Sequence, residues 1–161
     1  VTVSKISNQT YTGKALKPSV KMTYNKLKLK NGTDYKLEYQ NNTKMGKATI
    51  VIKGIGNYSG TRKLYFIIQP PKTVLSSVKS TKSKTAVATW KSIKGVSGYR
   101  VYYKTSKDGS YKLAGATTKT TLTISKLKSK STVYVKVRAY KKIDGKNVYG
   151  AYSDVLKVKV K

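Results

Sequence analysis

The acid–base chemistry open to this sequence rests on five carboxylates: Asp34, Glu38, Asp108, Asp144 and Asp154. It has no His and no Cys. That removes the commonest general base and metal ligand, thiolate nucleophiles and disulfides. Asp34 and Glu38 fall in one alternating stretch, where a spacing of four sets them about 13 Å apart along an extended chain. The paired carboxylates of glycosidases stand about 5–9.5 Å apart. Asp108 and Asp144 each precede Gly and read as turn formers, as does Asp34. Metal ligands are not clustered. Gly54-Ile55-Gly56 precedes no helical pattern, so it is not a phosphate loop. The expectation is a protein that is not an enzyme, with no catalytic residue, no cofactor and no metal.

The remaining chemistry lies in Thr132-Val133-Tyr134-Val135-Lys136-Val137-Arg138-Ala139-Tyr140. Val133, Val135, Val137 and Ala139 share one face; Tyr134, Lys136, Arg138 and Tyr140 share the other. A period of two predicts a strand with one buried and one wet face. The wet face is aromatic and basic at once. Such a surface can stack on sugar rings or bases while it neutralises anions.

Charge sets the choice of partner. Thirty-five Lys and Arg oppose five acids, for a formal net charge of +30. All but three of the cations are Lys, a hydrated point charge suited to diffuse attraction more than to planar readout. Such a chain should bind polyanions with strong salt dependence, since the Debye length is about 8 Å at physiological ionic strength. Specific nucleic-acid binding is not expected, because Arg is scarce and no reading motif is present. No apolar run approaches the roughly 18 residues needed to cross a bilayer, so membrane insertion is not expected. No signal peptide is visible, which fits a piece of a larger chain.

These residues sit in short alternating runs separated by Gly, Asn, Asp and Ser, and no helical period persists. The chain therefore reads as all-β. Pro70-Pro71 breaks it, because Pro-Pro cannot sit inside a sheet. The predicted layout is a module over 1–69, a semi-rigid linker over 70–73 and a second module over 74–161. Both halves are basic, with 13 cations against 2 acids and 22 against 3. In the first half, strands are expected at 1–6, 19–24, 27–29, 35–39, 47–53 and 62–68, with Val20, Met22, Ala48, Ile50, Ile52, Leu64, Phe66 and Ile68 inward. In the second, strands are expected at 74–80, 85–91, 98–104, 111–114, 120–125, 132–140 and 154–160, with 141–149 a loop. Seven short strands at this spacing suggest a Greek-key sandwich. Asn8, Asn31, Asn41 and Asn57 each begin an Asn-x-Ser/Thr triplet and are read as turn chemistry.

Two resemblances sharpen this layout. Tyr11-x-Gly13, Leu16-x-Pro18, Gly32-x-Asp34-Tyr35, Tyr39-x-Asn41-Asn42, Gly46-x-Ala48-Thr49 and Gly54-x-Gly56-Asn57-Tyr58-x-Gly60-Thr61 resemble a small immunoglobulin-like repeat of Gram-positive gut bacterial surface proteins. Trp90, Gly98-Tyr99-x-Val101-x-Tyr103, Leu127, Val135-x-Val137-x-Ala139-Tyr140 and Tyr152-Ser153 resemble a fibronectin type III domain over about 72–161. That family usually carries a Tyr six residues after the leucine; Val133 stands there, and Tyr134 faces the other way. The resemblances imply two tandem immunoglobulin-like/fibronectin type III-like β-sandwich modules, extracellular at a bacterial cell surface or secreted.

In a fibronectin-type sandwich the third, sixth and seventh strands are neighbours in one sheet. The candidate ligand-binding face is then Arg100, Tyr102 and Lys104; Tyr134, Lys136, Arg138 and Tyr140; and Lys157 and Lys159. A solvated face of rings packed on alkyl stems accounts for the same pattern, and the spread of Lys over both halves favours it. The expected function is a non-catalytic scaffold or spacer held by charge to anionic cell-wall polymers of the teichoic acid kind. The alternative is a carbohydrate-binding or host-adhesion module that uses the exposed Tyr and basic residues. Other domains of a parent protein are further candidate partners.

Overall fold

The computed structural model describes all residues, 1–161. The chain is all-β and divides into two compact units, Val1–Gln69 and Pro70–Lys161.

The first unit has seven strands: β1 (Thr2–Val3), β2 (Gln9–Thr10), β3 (Met22–Tyr24), β4 (Leu27–Leu29), β5 (Tyr35–Gln40), β6 (Gly46–Gly54) and β7 (Thr61–Gln69). They form two sheets, β1-β3-β4 and β2-β7-β6-β5. Alternation along β6 and β7 turns Ala48, Ile50, Ile52, Phe66 and Ile68 inward, where they meet Val20, Met22 and Tyr35. The Tyr35 hydroxyl donates to the Val20 carbonyl at 2.9 Å, so the polar end of this buried ring is satisfied. The expected opening strand over 1–6 shortens to Thr2–Val3, and a second short strand follows at Gln9–Thr10. β1 pairs with β3 and β2 pairs in parallel with β7, so the segment crosses from one sheet to the other. The expected strand over 19–24 shortens to Met22–Tyr24. Upstream, the Ser4 hydroxyl takes the Lys21 N–H at 3.1 Å in place of a strand carbonyl.

The second unit adds β8 (Leu75–Lys79), β9 (Ala86–Trp90), β10 (Gly98–Lys104), β11 (Lys112–Thr117), β12 (Thr121–Ile124), β13 (Thr132–Ile143), β14 (Lys146–Tyr149) and β15 (Leu156–Lys159). One sheet is β12-β9-β8; the other is β11-β10-β13, with β14 and β15 both on the far edge of β13. Ala86, Ala88, Trp90, Tyr99, Val101, Val133, Val135, Val137 and Ala139 fill the space between them. The Trp90 and Tyr99 rings meet at 5.4 Å, and the Tyr99 hydroxyl accepts the Ile93 N–H at 2.7 Å. Val133 is fully buried, and Tyr134 lies on the opposite face.

Two expectations are corrected here. The sixth strand does not end at Tyr140. It runs to Ile143, turns at Asp144 (φ 48) and Gly145 (φ 78), and returns as β14 where a loop over 141–149 was expected. Two central residues with positive φ make the tight hairpin turn that Asp-Gly favours. The Pro-Pro segment, expected as a semi-rigid linker, is packed into the second unit. Pro70 and Thr73 are fully buried and belong to the second unit, and the backbone of Pro70 and Pro71 lies directly against Gly150.

The edge of β13 is shared out along its length. β15 pairs with residues 132–135 and β14 with residues 140–143. Between them no strand pairs, and side chains complete the ladder. The Ala139 N–H donates to the Thr73 hydroxyl at 2.9 Å, and the Val137 N–H to the Ser153 hydroxyl at 3.0 Å. Gly150 N–H and Ser153 N–H serve the Ala139 and Val137 carbonyls. Every buried backbone group at the gap is thereby paired.

Candidate functional site

The register of β10 against β13 sets the outer face of the larger sheet. Arg100 lies opposite Arg138, Tyr102 opposite Lys136, Lys104 opposite Tyr134, and Gly98 opposite Tyr140. Like charges placed directly opposite repel, and no carboxylate joins this pair. A ring joins it instead. The Arg138 guanidinium lies 3.9 Å from the Tyr149 centroid, and that of Arg100 lies 5.4 Å from the same centroid.

The pattern continues across the sheet. Arg138 also meets Tyr152 at 4.6 Å and Tyr102 at 5.5 Å, and its Nη2 donates to the Tyr102 hydroxyl at 3.2 Å. Lys136 sits between Tyr152 (3.9 Å) and Tyr111 (4.0 Å). Lys104 sits between Tyr111 (5.0 Å) and Tyr134 (5.6 Å), with its ammonium donating to the Lys107 carbonyl. Cation and ring alternate without a break from Arg100 to Tyr134. The Arg138 Nε is buried without a hydrogen-bond partner, so the ring contacts and the single bond to Tyr102 hold this guanidinium.

The titration of the phenols follows from the packing. Burial raises the Tyr102 pKa, but the Arg138 and Arg100 guanidiniums favour its anion more strongly, and the net result is lowered. Tyr152 goes the other way, because burial outweighs the pull of Arg138. Tyr111 is likewise raised by burial.

Of the nine residues expected on this face, six join the network: Arg100, Tyr102, Lys104, Tyr134, Lys136 and Arg138. Tyr140 touches it through Tyr149, with centroids 6.0 Å apart. Its ring also covers Gly98, where a β-carbon would stand 2.8 Å from the Tyr140 hydroxyl. Lys157 and Lys159 are exposed on β15 and stay outside the network. The expected set omits Tyr111, Tyr149 and Tyr152. Tyr149 is carried by β14 and Tyr152 by the segment that bridges the gap in the β13 edge, so missing that hairpin also hid these rings.

Asp34, Glu38 and Asp154 are engaged structurally. Asp34 lies in the turn before β5, not on the strand with Glu38, and accepts the Lys30 N–H at 2.7 Å. Glu38 pairs with Lys53 at 2.7 Å and Asp154 with Lys72 at 2.6 Å.

No family model matches the chain, and no curated protein matches it. Solved structures do. The FN1–FN3 domains of chicken CNTN1 are 20% identical over 73% of this chain and 44% of that one, with a TM-score of 0.50. A cytokine receptor complex is 11% identical over 69% of this chain and 65% of its own, with a TM-score of 0.55. A fibronectin type III domain from the human KIAA0970 protein is 22% identical over 55% of this chain and 72% of that domain, with a TM-score of 0.46. Identities this low establish the fold alone. The chain is an all-β protein of the immunoglobulin/fibronectin type III sandwich class.

Proposed function

We propose that the two units are non-catalytic scaffold or spacer modules of a secreted or surface protein of a Gram-positive bacterium, held by charge to anionic wall polymers of the teichoic acid type. The observation that carries this reading is the surplus of cations. Five carboxylates cannot pair 35 cations, and exposed Lys is spread over both units. The alternative, a carbohydrate-binding or host-adhesion face at Tyr102, Tyr134 and Tyr140, draws less support from the geometry. The Tyr102 and Tyr134 rings that a sugar would stack on already have the protein's own cations over them.

Pelleting with isolated Gram-positive walls over a salt series tests the proposal. Binding should fall away by about 0.5 M salt and drop on walls stripped of teichoic acid. Salt-resistant binding to a glycan array, abolished by Tyr102→Ala, would replace it with the adhesion reading.

A further inference from the structure

Arg100, Lys104, Lys136 and Arg138 on the larger sheet have rings for partners. A second group of cations has none. At one end of the second unit, the loop after β8 (residues 80–85), the loop after β12 (residues 125–131) and the chain after β15 come together. Leu127 N–H donates to the Lys84 carbonyl at 3.0 Å, Lys84 N–H to the Lys161 carbonyl at 2.8 Å, and Lys130 N–H to the Val160 carbonyl at 2.8 Å. The Ser129 hydroxyl also donates to the Lys161 carbonyl, at 3.1 Å. Leu127 is buried and anchors its loop in the core.

These bonds bring together the segments that carry Lys82, Lys84, Lys126, Lys128 and Lys130, beside an open basin of about 670 Å³ lined by Lys84, Lys126, Leu127, Lys128 and Ser129. All five lysines are exposed, and none of the three segments contains an acidic or aromatic side chain. No ion pair, ring or hydrogen-bond acceptor engages their ammonium groups. Lys84, Lys126 and Lys130 have φ of 55, 59 and 62, a left-handed conformation that favours Gly or Asn. Lysine is held at three positions where the backbone disfavours it.

We propose that this pole is the second unit's binding site for a linear phosphate-rich polymer. Compact ammonium groups suit phosphate oxygens at any orientation, and the lack of rings removes base stacking as a source of affinity. The proposal rests on the charge-driven reading above and adds the contact through which it acts.

The test uses the full chain and inorganic polyphosphate at about 0.1 M salt. Lys84→Gln, Lys126→Gln, Lys128→Gln and Lys130→Gln together are compared with Lys91→Gln, Lys94→Gln, Lys119→Gln and Lys142→Gln, which remove the same charge away from this pole. The first set should weaken binding about tenfold or more, and the second less than about threefold. A third variant, Lys84→Gly with Lys126→Gly and Lys130→Gly, suits the left-handed backbone. It should keep its thermal stability and still lose affinity. Equal losses from the two glutamine sets would overturn the pole while leaving the charge-driven reading standing. No polyphosphate binding by the unaltered chain would remove both. Tighter binding per phosphate to single-stranded oligothymidine than to polyphosphate would also overturn it, in favour of a nucleic acid.

Discussion

The Tyr149 ring meets both Arg138 and Arg100, 3.9 Å from the first guanidinium and 5.4 Å from the second. The two arginines are directly opposed across β10 and β13. In a chain with so few acids, phenol rings do for these cations what carboxylates do elsewhere. They offer a negative face that loses little on desolvation.

Removing that ring should therefore leave a repulsive pair. Tyr149→Leu should destabilise the second unit by about 1–2 kcal/mol, read by urea unfolding of the full chain. Trp90, the single Trp, lies in this unit's core and reports on it alone. Part of the loss should return as salt is added, since screening weakens the repulsion between the two half-buried arginines. An unchanged midpoint would show that the ring is not needed.

Alkaline titration should separate the tyrosines. Tyr102 has a lowered pKa, so its stabilising contribution is present above the ordinary phenol value near 10 and is lost as pH falls through the lowered value. Tyr35 and Tyr39 are raised, chiefly by burial. Their contributions are complete below pH 10 or so and are lost as pH rises through the raised values. Spectrophotometric titration should show that Tyr102→Phe deletes the earliest phenolate, and that Tyr35→Phe reduces the alkaline loss of stability in the first unit. A first phenolate that persists in Tyr102→Phe would contradict the assignment.

The hydroxyls at the gap in the β13 edge should be costly to remove. Thr73→Val keeps the shape but leaves the Ala139 N–H unpaired, and Ser153→Ala does the same to Val137. Each should cost about 1–3 kcal/mol. Amide hydrogen exchange should quicken at Ala139 in the first variant and at Val137 in the second. Exchange that stays slow would mean that another acceptor has taken over.

Two glycines should differ in how they tolerate Ala. At Gly150 a β-carbon would stand 2.6 Å from the Pro70 and Pro71 carbonyls, which are backbone. At Gly98 the nearest atom belongs to the Tyr140 ring, which can swing away, although the Thr117 carbonyl at 3.0 Å remains. Gly150→Ala should cost more than Gly98→Ala, the latter falling within about 1–3 kcal/mol. Thermal unfolding of the two variants checks the order, and the reverse order would contradict the packing.

The fold was legible in the sequence wherever a period of two met a buried face. Val133, Val135, Val137 and Ala139 are unambiguous because one-sided burial fixes the register, and Ala48, Ile50 and Ile52 keep the same period although Val51 is buried on the other face. The missing β14 was also signalled. Asp144-Gly145 between alternating residues is a hairpin turn, but its flanks are too polar and exposed to declare a strand by hydrophobicity. The candidate face was legible strand by strand and not as a network. Tyr111, Tyr149 and Tyr152 arrive from outside the strands whose alternation revealed it. Their role depends on register and on the closing of an edge, neither of which a local pattern records. The lysine pole was least visible, because Lys82 and Lys128 are 46 positions apart in the chain and look like any other lysine in it.

The sharing of the β13 edge has a mechanical consequence. The entry to the second unit is tied to this strand near Ala139 through Thr73, and the exit runs along it from residue 135 back to 132 as β15. A pull applied between Pro70 and Lys161 therefore acts along a single strand. Its hydrogen bonds are loaded in shear and must yield together, where a hairpin end would peel one bond at a time.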